Sequence, residues 1–162
     1  MPRSSEAAFV ALGANLGDAR GALDAAFVAI ASLPGTQLRA ASSLYRSEPV
    51  DSAGPDYLNA VVLIDTRLGP QALLRELQRI EQVHGRERPY RNSPRTLDLD
   101  LLLYGTRRIA TKALTVPHPR LQQRAFVLRP LAELAPRLAV PGLGPVEELL
   151  PQVAGQRIHR LV

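Results

Sequence analysis

Between Tyr57 and Tyr104 the apolar residues change period twice, and this restricts the fold more than any other feature of the chain. Leu58, Ala60, Val62 and Ile64 alternate with Tyr57, Asn59, Val61 and Leu63. A period of two sends successive side chains to opposite faces of a strand. Gly69–Pro70 ends that run, and proline suits the first position of a helix. Leu73, Leu74, Leu77, Ile80 and His84 then keep helical spacing up to Gly85. Residues 86–95 are polar, broken by proline and rich in arginine, which reads as a loop. Residues 96–104 alternate again. The stretch predicts a strand over 57–68, a helix to 85, a loop and a strand over 96–104.

The same logic covers the earlier residues. Residues 1–7 read as a loose terminus and 8–12 as a short buried strand. Asp18 is a good helix N-cap, because its carboxylate can accept from an unpaired N–H of the first turn. Leu23, Phe27, Ile30 and Leu33 predict an amphipathic helix over 19–33, ended by Pro34–Gly35. A second strand is expected over 37–45, then a loop over 47–55. The order strand, helix, strand, strand, helix, strand predicts an α+β fold: a ferredoxin-like βαββαβ sandwich. Helices would cover one face of an antiparallel sheet and leave the other open for a site. Beyond it a C-terminal extension is expected. A turn at Tyr104–Gly105–Thr106 would lead into 108–111, 114–119 would be extended, a helix over 121–134 would be interrupted at Pro130, and a short helix would lie near 146–150.

At 162 residues the chain is expected to form a single domain over 1–162. Hydrophobic residues make up 46% and charged residues 22%, as in globular proteins, and there is no cysteine to form disulfides or thiolate metal sites. No stretch approaches the ~20 apolar residues of a membrane span, and no signal peptide is expected. The net charge of +5 suggests an anionic partner. Nearly all of the basic residues are arginine, with Lys112 the one lysine; a GC-rich genome would give the same bias. Aromatic residues are only 4%, with no tryptophan, which argues against a sheet that stacks RNA bases.

Asp98 and Asp100 stand two apart on the last predicted strand and so share a face, with Leu97, Leu99, Leu101 and Leu103 on the other. Adjacent carboxylates stay charged at neutral pH only beside a cation, either a hard divalent ion or an arginine. Arg86, Arg88, Arg91 and Arg95 lie just before them. Carboxylates for metal next to guanidiniums for phosphate is the chemistry of phosphoryl transfer. Edge-strand charges paired with arginines, and a solvated arginine loop, fit the same spacing. Neither a Walker loop nor a G-x-G-x-x-G motif is present. Tyr57 and Asn59 share one strand face and could stack on and read a flat heterocycle, or be ordinary sheet surface.

Taken together, these residues resemble a known family. Gly13–Ala14–Asn15–Leu16–Gly17–Asp18, Tyr45–Arg46–Ser47, Pro55–Asp56–Tyr57–Leu58–Asn59–Ala60, Arg79–Ile80–Glu81, Gly85–Arg86, Pro94–Arg95–Thr96–Leu97–Asp98–Leu99–Asp100, Leu114–Thr115–Val116–Pro117–His118–Pro119 and Arg124–Ala125–Phe126 occur in the family's order. The chain is similar to the 6-hydroxymethyl-7,8-dihydropterin pyrophosphokinases (2-amino-4-hydroxy-6-hydroxymethyldihydropteridine diphosphokinases) of the folate pathway.

The resemblance implies transfer of pyrophosphate from ATP to the pterin hydroxymethyl group, giving AMP and the pterin diphosphate. It implies two Mg2+ ions held by Asp98 and Asp100, with Arg86 and Arg95 on the phosphates and Arg88 as a looser match. Tyr57 and Phe126 would sandwich the pterin, Asn59 would read its edge, and the loop around Ser47 and Val50 would add contacts. Leu74, Gln78, Glu81, Leu101, Leu114, Thr115, His118 and Arg124 would lie on the nucleotide side, the three leucines walling the adenine. The expectation is a cytoplasmic monomer acting on small molecules, with neither nucleic acid nor membrane as partner. The chain departs from the family at Asn92–Ser93, where Trp-Gly is usual, and at Ala113, where an arginine is usual; Tyr90 stands where it could supply a replacement aromatic. The competing reading is a non-catalytic ferredoxin-like module that binds nucleic acid or a ligand. Scarce aromatics speak against the first form, and the two aspartates against the second.

Overall fold

The computed structural model describes residues 4–15, 18–48, 56–84 and 97–161. Strand β1 (Glu6–Ala14) leads to helix α1 (Ala19–Ala31), strands β2 (Thr36–Ala41), β3 (Tyr45–Ser47) and β4 (Tyr57–Thr66), helix α2 (Pro70–His84) and strand β5 (Asp98–Tyr104). All the pairings are antiparallel, in the order β5–β1–β4, with β2 and β3 both on the far side of β4. This is the predicted ferredoxin-like arrangement. Asp18 caps α1 as expected, its Oδ1 accepting from the Gly21 N–H at 3.0 Å. Pro70 opens α2.

Several boundaries differ for local reasons. Glu6 and Ala7 are not loose, because the long β4 offers them Thr66 and Asp65 as partners. The single strand expected over 37–45 is two strands. From Ala41 to Tyr45 the chain advances four residues while β4 advances three, from Val62 to Asn59. Ser42 absorbs the difference: its N–H donates to the Val61 carbonyl, and its Oγ accepts from the Val61 N–H, each at 2.9 Å. In β5, Leu101 pairs with Val10 and Leu103 with Phe9, so Leu102 is an extra residue. Leu103 therefore turns to the face opposite Leu99 and Leu101, against the simple alternation.

α1 and α2 cover one face of the sheet. Leu23, Ala26 and Ile30 of α1 and Leu73, Leu77 and Ile80 of α2 pack on Val10, Leu12, Val62, Ile64, Leu99 and Leu101. The other face was expected to be open, and most of it is covered. After a hairpin of β6 (Ile109–Ala110) and β7 (Thr115–Val116), a 3-10 turn (Leu121–Gln123) and helix α3 (Ala125–Leu134) cross it. A hairpin of β8 (Ala139–Val140) and β9 (Gly144–Pro145), helix α4 (Val146–Leu149), a 3-10 turn (Leu150–Val153) and strand β10 (Ile158–Arg160) follow. Leu121, Val127, Leu128, Leu131 and Val146 bury Phe9, Ala11, Val61 and Leu102. Those sheet positions are apolar, and leaving them in water costs about 25 cal/mol per Å2. Strand β6 pairs with β7 rather than turning back on β5. Pro130 does not interrupt α3; it lies buried within the helix.

Candidate functional site

A group of polar residues gathers at one end of the sheet. Strand register sets Asn59, Gly13 and Asp98 in one row across β4, β1 and β5, with Val61, Ala11 and Asp100 in the next. Residues paired across strands share a face, so Asn59, Asp98 and Asp100 point to the same side. Two strand spacings separate Asn59 from Asp98, roughly 10 Å between Cα atoms. Nothing rises between them from β1, because the intervening residue is glycine. A Cβ on Gly13 would stand 3.2 Å from Asn59 Nδ2 and 3.8 Å from Tyr57 Cδ1.

Asn59 is buried and held from behind, since Ser47 Oγ donates to its Oδ1 at 2.5 Å. With Oδ1 engaged there, Nδ2 is the atom over Gly13. Tyr57, half-buried, pairs with Ser47 at the start of β4. Phe126 stands in the first turn of α3, and the Arg124 guanidinium lies 5.4 Å from its ring centroid, a cation–π contact.

Beyond β5 a cavity of about 240 Å3 is lined by Leu74, Leu99, Asp100, Leu101, Leu114, Thr115, His118 and Pro119, with Lys112 and Ala113 at the turn before β7. It brings together six of the residues assigned from sequence to the nucleotide side or the metal: Leu74, Asp100, Leu101, Leu114, Thr115 and His118. Gln78 is exposed on α2 and does not line it. Glu81 is buried, and its carboxylate accepts from the Leu99 N–H at 2.8 Å. It thus braces the strand between the two aspartates. Arg86, Arg88, Arg95 and Val50, like Tyr90 and Asn92–Ser93, lie outside the described residues.

His118 joins the cavity to the acid pair. Its Nδ1 accepts from the Arg120 N–H at 3.2 Å, so the neutral ring carries its proton on Nε2, 4.0 Å from Asp100 Oδ1. Burial lowers its pKa below the usual imidazole value; Asp100 pulls it up, and Arg124 and Arg120 push it down further. At neutral pH His118 is therefore a neutral hydrogen-bond donor. Asp98 and Asp100 are each half-buried on β5. Among the described residues there is no cluster of three or more His, Cys, Asp or Glu.

Sequence reasoning missed three features. Lys112 was noted only as the one lysine. Gly13 lay within a quoted motif without a role. The Glu81–Leu99 bond depends on α2 packing beside β5, which no local pattern reveals.

Comparison with known proteins bears on the chain as a whole. The family model described as 7,8-dihydro-6-hydroxymethylpterin-pyrophosphokinase matches residues 9–136. The chain is 45% identical over 155 residues to the 2-amino-4-hydroxy-6-hydroxymethyldihydropteridine pyrophosphokinase of Haemophilus influenzae, covering 95% of this chain and 97% of that one. It is 47% identical over 154 residues to the protein of the same name from Pseudomonas aeruginosa, covering 94% and 95%. Among solved structures, a Plasmodium falciparum HPPK-DHPS triple mutant with SDX-DHP superposes with a TM-score of 0.75 at 15% identity, covering 93% of this chain and 44% of that one. The chain spans under half the length of that two-part protein, and the likeness to it concerns the fold.

Proposed function

Because the chain belongs to the 7,8-dihydro-6-hydroxymethylpterin-pyrophosphokinase family, we propose that it moves pyrophosphate from ATP to the hydroxymethyl oxygen of 6-hydroxymethyl-7,8-dihydropterin across the Asn59–Gly13–Asp98 row. It is an ATP-dependent transferase of folate biosynthesis acting on small molecules. The pterin oxygen attacks the β-phosphorus, the bond from that phosphorus to the α,β-bridging oxygen breaks, and AMP leaves. The single observation that carries the site reading is this row: an amide and a carboxylate on one face, separated by a glycine and about the length of a flat two-ring heterocycle.

Asn59 binds the heterocycle's donor–acceptor edge, and Ser47 keeps the amide from rotating. Tyr57 and Phe126 supply the flat apolar walls. The cavity of about 240 Å3 is smaller than the roughly 300–1,000 Å3 of a pocket enclosing a whole drug-sized ligand, so ATP seats its adenine end between Leu74, Leu101 and Leu114. His118, neutral, donates from Nε2 toward the nucleotide, and Arg124 lends positive charge beside Phe126.

Asp98 and Asp100 fit Mg2+, which takes one or two carboxylates and fills its octahedron with water and substrate phosphates. Bound there, Mg2+ supplies charge to the phosphate oxygens and acidifies the hydroxyl. Arg86 and Arg95 are the proposed catalytic arginines, with Arg88 beside them; Val50 and the exposed Gln78 complete the proposed contacts. Glu81 acts on the nucleotide side by holding Leu99 in place. The protein is further proposed to be a cytoplasmic monomer of one domain that takes no nucleic acid. Among the described residues no helix is long and apolar enough to cross a membrane.

The test is to incubate the protein with ATP, Mg2+ and the hydroxymethyl dihydropterin and follow nucleotide products. AMP is expected. ADP would mean single-phosphate transfer, and no product at all would favour a binder; either result overturns the reading.

A further inference from the structure

The C-terminal tail lies beyond residues 9–136, the stretch that the family model matches. It is nonetheless fastened to the site at two points. Strand β10 pairs with β3, setting Ile158 opposite Ser47, the residue that holds Asn59. Just before β10, Gln156 makes a two-way amide contact. Its Oε1 accepts from the Ala125 N–H at 2.9 Å, and its Nε2 donates to the Gln123 carbonyl at 2.8 Å. These two groups flank Arg124, and Ala125 directly precedes Phe126.

The contact matters because α3 lacks a cap of its own. Its N-cap residue is Arg124, whose side chain makes no capping bond. The first N–H groups of a helix have no partner within the helix and need one from outside. Gln156 supplies one for Ala125 and simultaneously ties down the carbonyl at the end of the preceding 3-10 turn. The tail that presents Gln156 is itself anchored. Gln156 N–H donates to the Val153 carbonyl at 3.0 Å, Leu161 N–H to the Leu44 carbonyl at 2.8 Å, and Arg160 Nε to Ser43 Oγ at 3.0 Å. Arg160 also lies 3.7 Å from Glu133, a carboxylate that accepts from Tyr45 Oη and from Ser43.

We propose that Gln156 is a positioning residue for both substrates: its amide fixes the Arg124–Phe126 turn from which the nucleotide-side guanidinium and the pterin-side ring both project. Gln156 touches neither substrate and acts through Arg124 and Phe126. The inference rests on the pyrophosphokinase reading above. Losing the clamp loosens one turn that serves two ligands, so KM should rise for the pterin and for ATP together. Residues on one side only, such as Asn59 or Leu114, should move one KM.

The experiment measures initial rates of AMP release for the wild-type enzyme and for Gln156→Ala and Gln156→Asn, with thermal melts of each. Asparagine is one methylene shorter and cannot span both partners, so it is the milder variant should Gln156→Ala fold poorly. The expected result is a rise of about three- to tenfold in both KM values at a temperature well below melting, the scale of a lost helix cap. Gln156→Glu keeps the acceptor for Ala125 but turns a carboxylate oxygen toward the Gln123 carbonyl to which Nε2 donates at 2.8 Å, so it should not restore both KM values to wild type. Unchanged KM values in the folded variants, a lowered melting temperature alone, or wild-type KM values in the Glu variant overturns the positioning role of the two-way contact. A wild-type enzyme that makes no AMP would instead overturn the underlying function.

Discussion

Gly13→Ala is the smallest change that should separate pterin recognition from everything else the site does. Gly13 is an ordinary β1 residue without positive φ, so alanine meets no backbone strain there. The new methyl would stand 3.2 Å from Asn59 Nδ2, 3.8 Å from Tyr57 Cδ1 and 3.9 Å from the Leu58 carbonyl oxygen. Only the first distance is too short, and the amide has little room to yield. Asn59 is buried, and Ser47 Oγ holds its Oδ1 at 2.5 Å on the other side. The amide must therefore turn or shift by a few tenths of an ångström, either spoiling the Ser47 bond or misaligning Nδ2 toward the ligand. One buried hydrogen bond is worth about 1–1.5 kcal/mol net, which is roughly five- to tenfold in affinity. Replacing glycine by alanine also stabilises the fold by about 0.4–1 kcal/mol through the unfolded chain, so the net change in stability should be small. The assay is AMP release with pterin varied at saturating ATP, then the reverse. A pterin KM raised about five- to tenfold, with the ATP KM within twofold and the melting temperature nearly unchanged, is expected. If the pterin KM stays within twofold, or both KM values rise alike, the row geometry does not set recognition.

Other consequences can be checked separately. Glu81→Ala leaves the buried Leu99 N–H without its acceptor and should lower stability by about 1–3 kcal/mol in urea denaturation, whereas Glu81→Gln, which keeps an acceptor, should lose much less; equal losses would refute the hydrogen-bond argument. Asp98→Ala should abolish turnover while far-UV circular dichroism and melting remain near wild type, and wild-type activity in that variant would remove the metal assignment. Burial and the hydrogen bond to Glu133 raise the Tyr45 pKa to about 12. A pKa raised in the folded state contributes stability that is complete below the unfolded value near 10 and is lost as pH climbs through 10 toward 12. Absorbance at 295 nm should therefore show a tyrosine titration step near pH 12 in the folded protein that Tyr45→Phe removes. An unchanged titration curve near pH 12 in Tyr45→Phe would contradict the Tyr45–Glu133 contact.

What the sequence made legible were the patterns carried by neighbouring residues. Alternation through Asn59 and Val61, the Asp18 cap and the Pro70 start are local signals, and each appears in the fold. The placement of Asn59, Gly13 and Asp98 in one row is not local. It requires three strands far apart in the chain to pair in one register, and a slip of one residue would turn every side chain to the other face. The motif that includes Gly13 was visible, but the reason for a glycine appears only once Asn59 lies beside it. The one-residue offset at Ser42 and the extra Leu102 were hidden for the same reason, since a bulge is defined by the partner strand. The covering of the second face went against the expectation of an open face, although the signal for it was in the chain. Phe9, Ala11, Val61 and Leu63 could not all face water, and the apolar residues of 121–134 were the available cover.

The same register explains why the polar groups gather where they do. Both faces of the sheet are sealed by apolar packing, one by α1 and α2 and the other by α3 with the C-terminal segments. Uncompensated polar residues in the middle of either face would lose their hydration without gaining partners. The buried Asn59 and the half-buried Asp98 and Asp100 gather at one end of the sheet, and β5 is an edge strand of this sheet among the described residues. On the proposed reading the acceptor lies over β1 and β4 and the nucleotide enters from beyond β5, so the transferred group must pass the aspartates to go from one to the other. Glu81 braces that strand from the α2 side, and Gln156 braces the opposing turn from the C-terminal side. Neither residue needs to meet a reactant to affect the rate, because the separation between the two substrates is set by the parts these residues hold.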